Sequence, residues 1–156
     1  MKRRLIYSLL GIPLVFFVLF VILFFTYFNN ISGVDPDTQG FYSELKNKLI
    51  EKGYDDNLIV VSGTRWKWHN DLLHYFETGA AKQSFHLKSK AIDVIVRDVN
   101  HDGEANKEDV LIVKELLENE IVGSKGGVGV YLKSNNFFSR QMVHFDCRGY
   151  RARWNY

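Results

Sequence analysis

Apolar and polar positions divide the chain into two unequal parts. Leu5–Phe28 is a run of 24 residues without a charge, eighteen of them Leu, Ile, Val or Phe. As a helix it reaches about 36 Å, enough for a hydrocarbon core of about 30 Å, and its insertion free energy sums to on the order of −5 to −10 kcal/mol. The run predicts one transmembrane helix. Beyond it the apolar positions recur on shorter periods. Asp37 is placed to cap a helix carrying Phe41, Leu45, Leu49 and Ile50 at 3–4 spacing and stopped by Gly53. Leu58–Val61 reads as a buried strand, broken by Ser62-Gly63-Thr64-Arg65, and Trp66–Phe76 as a short helix. Lys90–Val96, Gly126–Leu132 and Met142–Cys147 read as further strands, with a loop at Asp98–Asp109 and a helix over Val110–Leu117. The pattern predicts an α+β domain: a small antiparallel sheet with flanking helices behind the N-terminal helix.

Charge gives this layout a direction. Lys2, Arg3 and Arg4 precede the apolar run and Asp35 and Asp37 follow it. The positive-inside rule then leaves the N-terminus in the cytoplasm and exports the rest. The run exceeds the 7–15 residues of a cleavable signal and lacks an Ala-x-Ala-like site, which favours an uncleaved anchor. The expected division is residues 1–30 as cytoplasmic terminus and membrane anchor, 31–36 as linker and 37–156 as one folded domain. The protein would sit single-pass in the inner or plasma membrane, touching lipid through residues 5–28, with its domain periplasmic or extracellular. The three leading cations outweigh the formal +2 of the whole chain, so residues 5–156 carry −1. That balance argues against nucleic acid as a partner. A single cysteine, Cys147, excludes an intrachain disulfide and a Cys-based zinc finger.

Metal chemistry must therefore come from His, Asp and Glu, and two groups offer it. The first is His86, Asp93 and, about 50 residues on, His144 with Asp146 behind it. Two imidazoles and a carboxylate make the three protein ligands that a catalytic zinc takes. Around them run Ser84-x-His86, Ala91-x-Asp93, Val61-Ser62-Gly63-Thr64-Arg65, Gly127-Val128-Gly129-Val130-Tyr131 and Arg151-Ala152-Arg153-Trp154. In this order the elements resemble the zinc D-alanyl-D-alanine carboxypeptidase family of peptidoglycan peptidases, whose fold is similar to the hedgehog domain. The resemblance implies a zinc peptidase acting on peptidoglycan stem peptides, as carboxypeptidase or endopeptidase, with one catalytic Zn²⁺ on His86, Asp93 and His144. It implies that Arg65 holds a substrate carbonyl or carboxylate and that Ser84 steadies the ligand loop. Two positions depart from the pattern. Ser89 stands where the family has glycine, which matters only if φ is positive there. Gln141 stands where some members carry a general-base Glu, leaving Asp146 as the nearest alternative carboxylate, whether as base, ligand or orienter. Without a base, the same cleft would serve as an inactive wall-binding module. His69 and His74 read as surface or cleft-rim residues, and Trp66, Trp68, Tyr131 and Trp154 as core or scaffold aromatics ahead of the alternative, sugar platforms.

The second group is the loop Asp98–Asp109. Asp98, Asn100, Asp102, Asn106 and Asp109 place oxygens at loop positions 1, 3, 5, 9 and 12. Gly103 holds the turn at position 6, and Glu104 offers its backbone carbonyl at position 7. The loop resembles the calcium loop of EF-hands and of dockerin repeats, which implies one structural Ca²⁺ and, as an alternative function, a calcium-dependent interaction protein. The competing reading is an acidic turn that caps the following helix.

Overall fold

The computed structural model describes residues 13–21, 31–75, 81–132 and 141–156. Residues 13–21 are helical; the remainder of the expected membrane span lies outside the described residues. Among the described residues, no helix is long and apolar enough to cross a membrane.

Helix α1, Pro36–Glu51, begins two residues earlier than Asp37 capping requires. The cap is Asp35, whose side chain accepts from the Asp37 N–H, and Pro36 opens the first turn, where its missing N–H costs nothing. Leu45 and Leu49 face the core, and Gly53 turns the chain out at φ +81°. Strand β1 is Leu58–Ser62, helix α2 Lys67–Tyr75 and strand β2 Ala91–Val96. Helix α3 is Lys107–Leu116, continued by a π-turn over Leu117–Ile121. Strands β3, β4 and β5 are Gly127–Tyr131, Met142–Asp146 and Ala152–Asn155.

The sheet order is β1-β2-β4-β3-β5. The first four strands pair antiparallel as expected, but β5 runs parallel to β3, so the sheet is mixed rather than antiparallel. Alternation sorts the side chains by face. Ile92, Val94 and Val96 of β2, Val128 and Val130 of β3, and Val143 and Phe145 of β4 join Leu45, Leu49, Val110, Val113 and Leu117 in one core beneath the helices. The opposite face carries the intervening residues Asp93, Gly127, Gly129, His144 and Asp146. Register aligns them: Asp93 lies opposite His144 and His144 opposite Gly129, whose neighbour on β5 is Trp154. Strand β5 lacks apolar alternation and is held instead by Arg153, which donates to the Gly123 and Gly126 carbonyls at 2.6 and 2.8 Å.

Candidate metal centre

The polar face of the sheet brings His86, Asp93 and His144 together from three segments far apart in sequence. All three are buried, at 2%, 5% and 6% exposure, and one ligand atom of each lies within 4.8 Å of the others. Among the described residues no other group of three His, Cys, Asp or Glu side chains converges in this way.

His86 reaches the site from a single 3-10 turn, Phe85–Lys88. Ser84 caps that turn by accepting from the His86 N–H at 3.3 Å. Ser89 closes it at φ +57°. The position filled by glycine in the resembled family is therefore left-handed here, and Ser89 bears the steric cost of that conformation.

The ligand atoms are separated by distances that suit one small cation. His86 Nε2 lies 3.3 Å from His144 Nδ1 and 3.0 Å from Asp93 Oδ2, and His144 Nδ1 lies 2.7 Å from Asp93 Oδ1. Tetrahedral Zn²⁺ with bonds of about 2.0–2.1 Å sets its ligands about 3.3 Å apart. The outer atoms of both imidazoles are also occupied. His86 Nδ1 is 2.6 Å from the Gly63 carbonyl, which must accept a proton and so fixes the tautomer with Nε2 facing inward. His144 Nε2 is 2.9 Å from Asp146 Oδ2, which turns Nδ1 toward the cluster in the same way. The donor set fits zinc.

Proton affinities follow from the packing. Burial pushes the His86 imidazole down despite the attraction of Asp93. Burial also works against charge on Asp93, but His86 and His144 overcome it and hold the carboxyl well below its usual range. For His144, burial is outweighed by hydrogen bonds to Asp146 and Asp93, which raise it to about 8.

Asp146 orients His144, and the geometry removes it as a candidate base. Its Oδ1 accepts from the Gly127 N–H and Arg148 Nε at 3.0 and 2.8 Å. Its Oδ2 accepts from Arg148 Nη2 at 2.6 Å and meets the outer nitrogen of His144, away from the ligand cluster. Burial raises its carboxyl, but Arg148 and His144 more than reverse that and hold it strongly acidic. Arg148, which sequence reasoning passed over, stacks its guanidinium on Phe85, Tyr150 and Trp154 at 4.7, 5.6 and 4.9 Å. The glycine-rich strand makes room for this packing. A Cβ on Gly127 would strike Arg148 and Asp146 at 2.7 Å, and one on Gly129 would strike the Trp154 ring at 2.1 Å. Trp154 in turn lies 5.2 Å from the His144 ring.

Arg65 stands at the edge of the cluster, 8% exposed. It donates from Nη2 to Ser62 Oγ at 2.9 Å and to Asp93 Oδ2 at 3.3 Å, and from Nη1 to Asn70 Oδ1 at 3.3 Å; its Nε is buried without a hydrogen-bond partner. His69 lies close enough to Arg65 and His86 that burial, reinforced by both, lowers it to about 4. Gln141, at φ +62°, turns its amide to the Ala105 carbonyl rather than to His86, Asp93 and His144. Trp66 and Trp68 are 46% and 47% exposed, with ring centroids 6.1 Å apart.

The acidic loop is organised differently. Asp109 is fully buried in the first turn of α3, which begins at Lys107 rather than Val110. Its Oδ1 accepts from the Val99 and Asn100 N–H groups at 2.8 and 3.2 Å and its Oδ2 from Asn106 at 2.8 Å, closing a capping box in which Asn106 accepts from Glu108. Asn100, Asp102 and Asp98 accept from the Asp102, Glu104 and Gly103 N–H groups. Glu104 is exposed, with its N–H on Asp102. Within the loop, Asp98 Oδ1 is buried without a hydrogen-bond partner.

No curated protein matches the chain. The family model described as peptidoglycan L,D-endopeptidase MepK matches residues 28–154, from ahead of α1 into β5 and across the whole ligand cluster, and the chain belongs to that family.

Proposed function

We propose that the chain is a zinc peptidase that hydrolyses an L,D peptide bond in peptidoglycan, an endopeptidase rather than a carboxypeptidase. The observation that carries this reading is the convergence of His86 Nε2, Asp93 and His144 Nδ1 at zinc-ligand spacing, with both outer nitrogens already engaged. When bound, Zn²⁺ supplies Lewis acidity, polarising a carbonyl and making water acidic near neutral pH. The chain's own residues do the rest. Arg65 sets a fixed positive charge beside Asp93, where it stabilises negative charge developing on the scissile carbonyl. Asp146 and Arg148 hold His144 in one orientation, and Trp154 shields that imidazole. Purified full-length chain should cut cross-linked peptidoglycan peptides in a zinc-dependent way, read by mass spectrometry as a new amine within the cross-link. Release of terminal D-alanine alone would make it a carboxypeptidase.

A wall-binding module without turnover is the second reading, favoured by the direction of Gln141 and the saturation of Asp146. Retention on insoluble peptidoglycan with no new amine under zinc would select it.

The reading includes two further elements. Residues 5–28 anchor the chain in the membrane with the domain outside; apolar exposure around the helix of residues 13–21, from 47% at Val18 to 69% at Phe16, supports a lipid environment. One structural Ca²⁺ at Asp98–Asp109 would satisfy the orphaned Asp98 Oδ1, an expensive atom to leave buried alone.

A further inference from the structure

We infer that the segment Ile31–Asp35, between the apolar run and α1, is a strap that positions His86 and Arg65 for metal binding, an inference that rests on the zinc reading above. The strap is tied to both loops that carry those residues. The Asp35 N–H donates to the Ser89 carbonyl at 2.7 Å, and Thr64 Oγ1 donates to the Gly33 carbonyl at 2.9 Å. Ser89 ends the turn that presents His86, and Thr64 directly precedes Arg65. A third tie follows in the first turn of α1, where the fully buried Thr38 donates from Oγ1 to the Lys90 carbonyl at 3.2 Å. Between these ties the strap is itself fixed. Val34 is 4% exposed in the core, its N–H donates to the Ile31 carbonyl at 3.0 Å, and its carbonyl accepts from Gln39 Nε2 at 2.6 Å.

The two loops that the strap joins also meet at the site. The Arg65 N–H donates to the His86 carbonyl at 3.0 Å, the Gly63 carbonyl lies 2.6 Å from His86 Nδ1, and Arg65 Nη2 donates to Asp93 Oδ2 at 3.3 Å. Ser89 is the sensitive point. At φ +57° it holds a conformation that is costly for a residue with a side chain and persists only where neighbours over-determine it. Its N–H is held by the His86 carbonyl at 3.2 Å and its carbonyl by the Asp35 N–H, so the strap restrains one of its two backbone groups. Release of that carbonyl lets the turn relax and carries His86 Nε2 away from Asp93 and His144. A site that needs its ligand atoms held within about 0.5 Å tolerates little such drift. Phe28, the last residue of the apolar run, stands three residues before Ile31, so the tether from that run enters the domain at the metal site.

The test removes one N–H. Asp35 has φ −51°, a value open to proline, so Asp35→Pro deletes the donor to Ser89 while keeping the dihedral. Asp35→Ala is its control: both variants lose the side-chain cap of α1, and only the proline loses the bond to Ser89. On the purified full-length chain, Asp35→Pro should bind zinc about tenfold more weakly than Asp35→Ala in titration against a competing chelator, the scale of a lost outer partner. In the metal-free proteins the Arg65, Ser89 and Lys90 amides should exchange hydrogen about tenfold faster in Asp35→Pro, while the Val96 amide, on the Gln141 carbonyl at the far end of β2, keeps its rate. Equal zinc affinity in the two folded variants overturns the inference, and so does faster exchange that includes Val96, which would make the bond a matter of global stability. If Asp35→Pro does not fold, Thr64 decides. Thr64→Val should weaken zinc binding about threefold and Thr64→Ser should restore it; wild-type affinity in Thr64→Val overturns the strap. A wild-type chain that holds no zinc overturns the peptidase reading instead, and the strap then stands or falls with the exchange comparison.

Discussion

The candidate metal centre and the acidic loop both present ligand-type residues at telling spacings, yet they handle those residues in opposite ways. At the centre, the scaffold engages the outer atom of each imidazole, Gly63 on His86 and Asp146 on His144, and the inner atoms converge with Asp93. In the loop, the carboxylates turn to their own backbone: Asp109 accepts three N–H groups, and Asp98 and Asp102 accept one each. Ligand-type residues are thus aimed at one common point when other groups hold their outer atoms. Where the near backbone holds them, the same residues close a turn and cap a helix, and only Asp98 Oδ1 is left for a cation.

The comparison is broken most severely through the outer shell of the metal centre. Asp146→Asn keeps the shape but weakens the hold on His144, and zinc affinity should fall about 10–100-fold. A titration with a competing chelator reads the change; an unaltered affinity would make Asp146 merely structural. Protons test the same ligand. His144 sits near 8 without metal, so apparent zinc affinity should fall about tenfold per pH unit below that value and level off above it. For the metal-free protein the sign reverses. A pKa raised above 6.5 stabilises the fold fully below pH 6.5, and that contribution is lost as pH rises through about 8. Thermal melts of apo-protein across pH 6–9 check it.

In the loop the expected loss is of stability alone. Asp109→Ala leaves three N–H groups without their acceptor and should cost about 3 kcal/mol, with zinc stoichiometry of the folded protein unchanged. Calcium sharpens the contrast: at 100 times Kd it should raise Tm by about 8–15 °C through the Asp98 site, whereas equal melting in millimolar Ca²⁺ and in a selective chelator leaves the loop a cap. The smallest effect belongs to Ser89. At φ +57° Ser89→Gly should add on the order of 1 kcal/mol, visible as a small rise in Tm.

The sequence was most legible where one residue has one partner to find. Alternation in Ala91–Val96 and Met142–Asp146 separates Ile92, Val94, Val143 and Phe145 from Asp93 and His144, so core and site faces could be read directly. Strand β5 escaped because Arg151-Ala152-Arg153-Trp154 has no apolar period. Its parallel pairing depends on Arg153 reaching carbonyls about 30 residues away and on Trp154 lying against Gly129. The start of α3 escaped because Asn106 and Asp109 carry the side chains of both a cation ligand and a capping box, and spacing does not tell them apart. The orienting role of Asp146 depends on Arg148, whose aromatic surroundings are set by tertiary packing.

The central claim is that His86, Asp93 and His144 hold one catalytic zinc. Metal analysis of the purified chain beside His86→Ala, with circular dichroism on both, tests it most directly. One zinc per wild-type chain is expected, with less than a tenth as much in a variant that keeps its fold, because two remaining ligands hold zinc poorly. Stoichiometric zinc in folded His86→Ala would contradict the account.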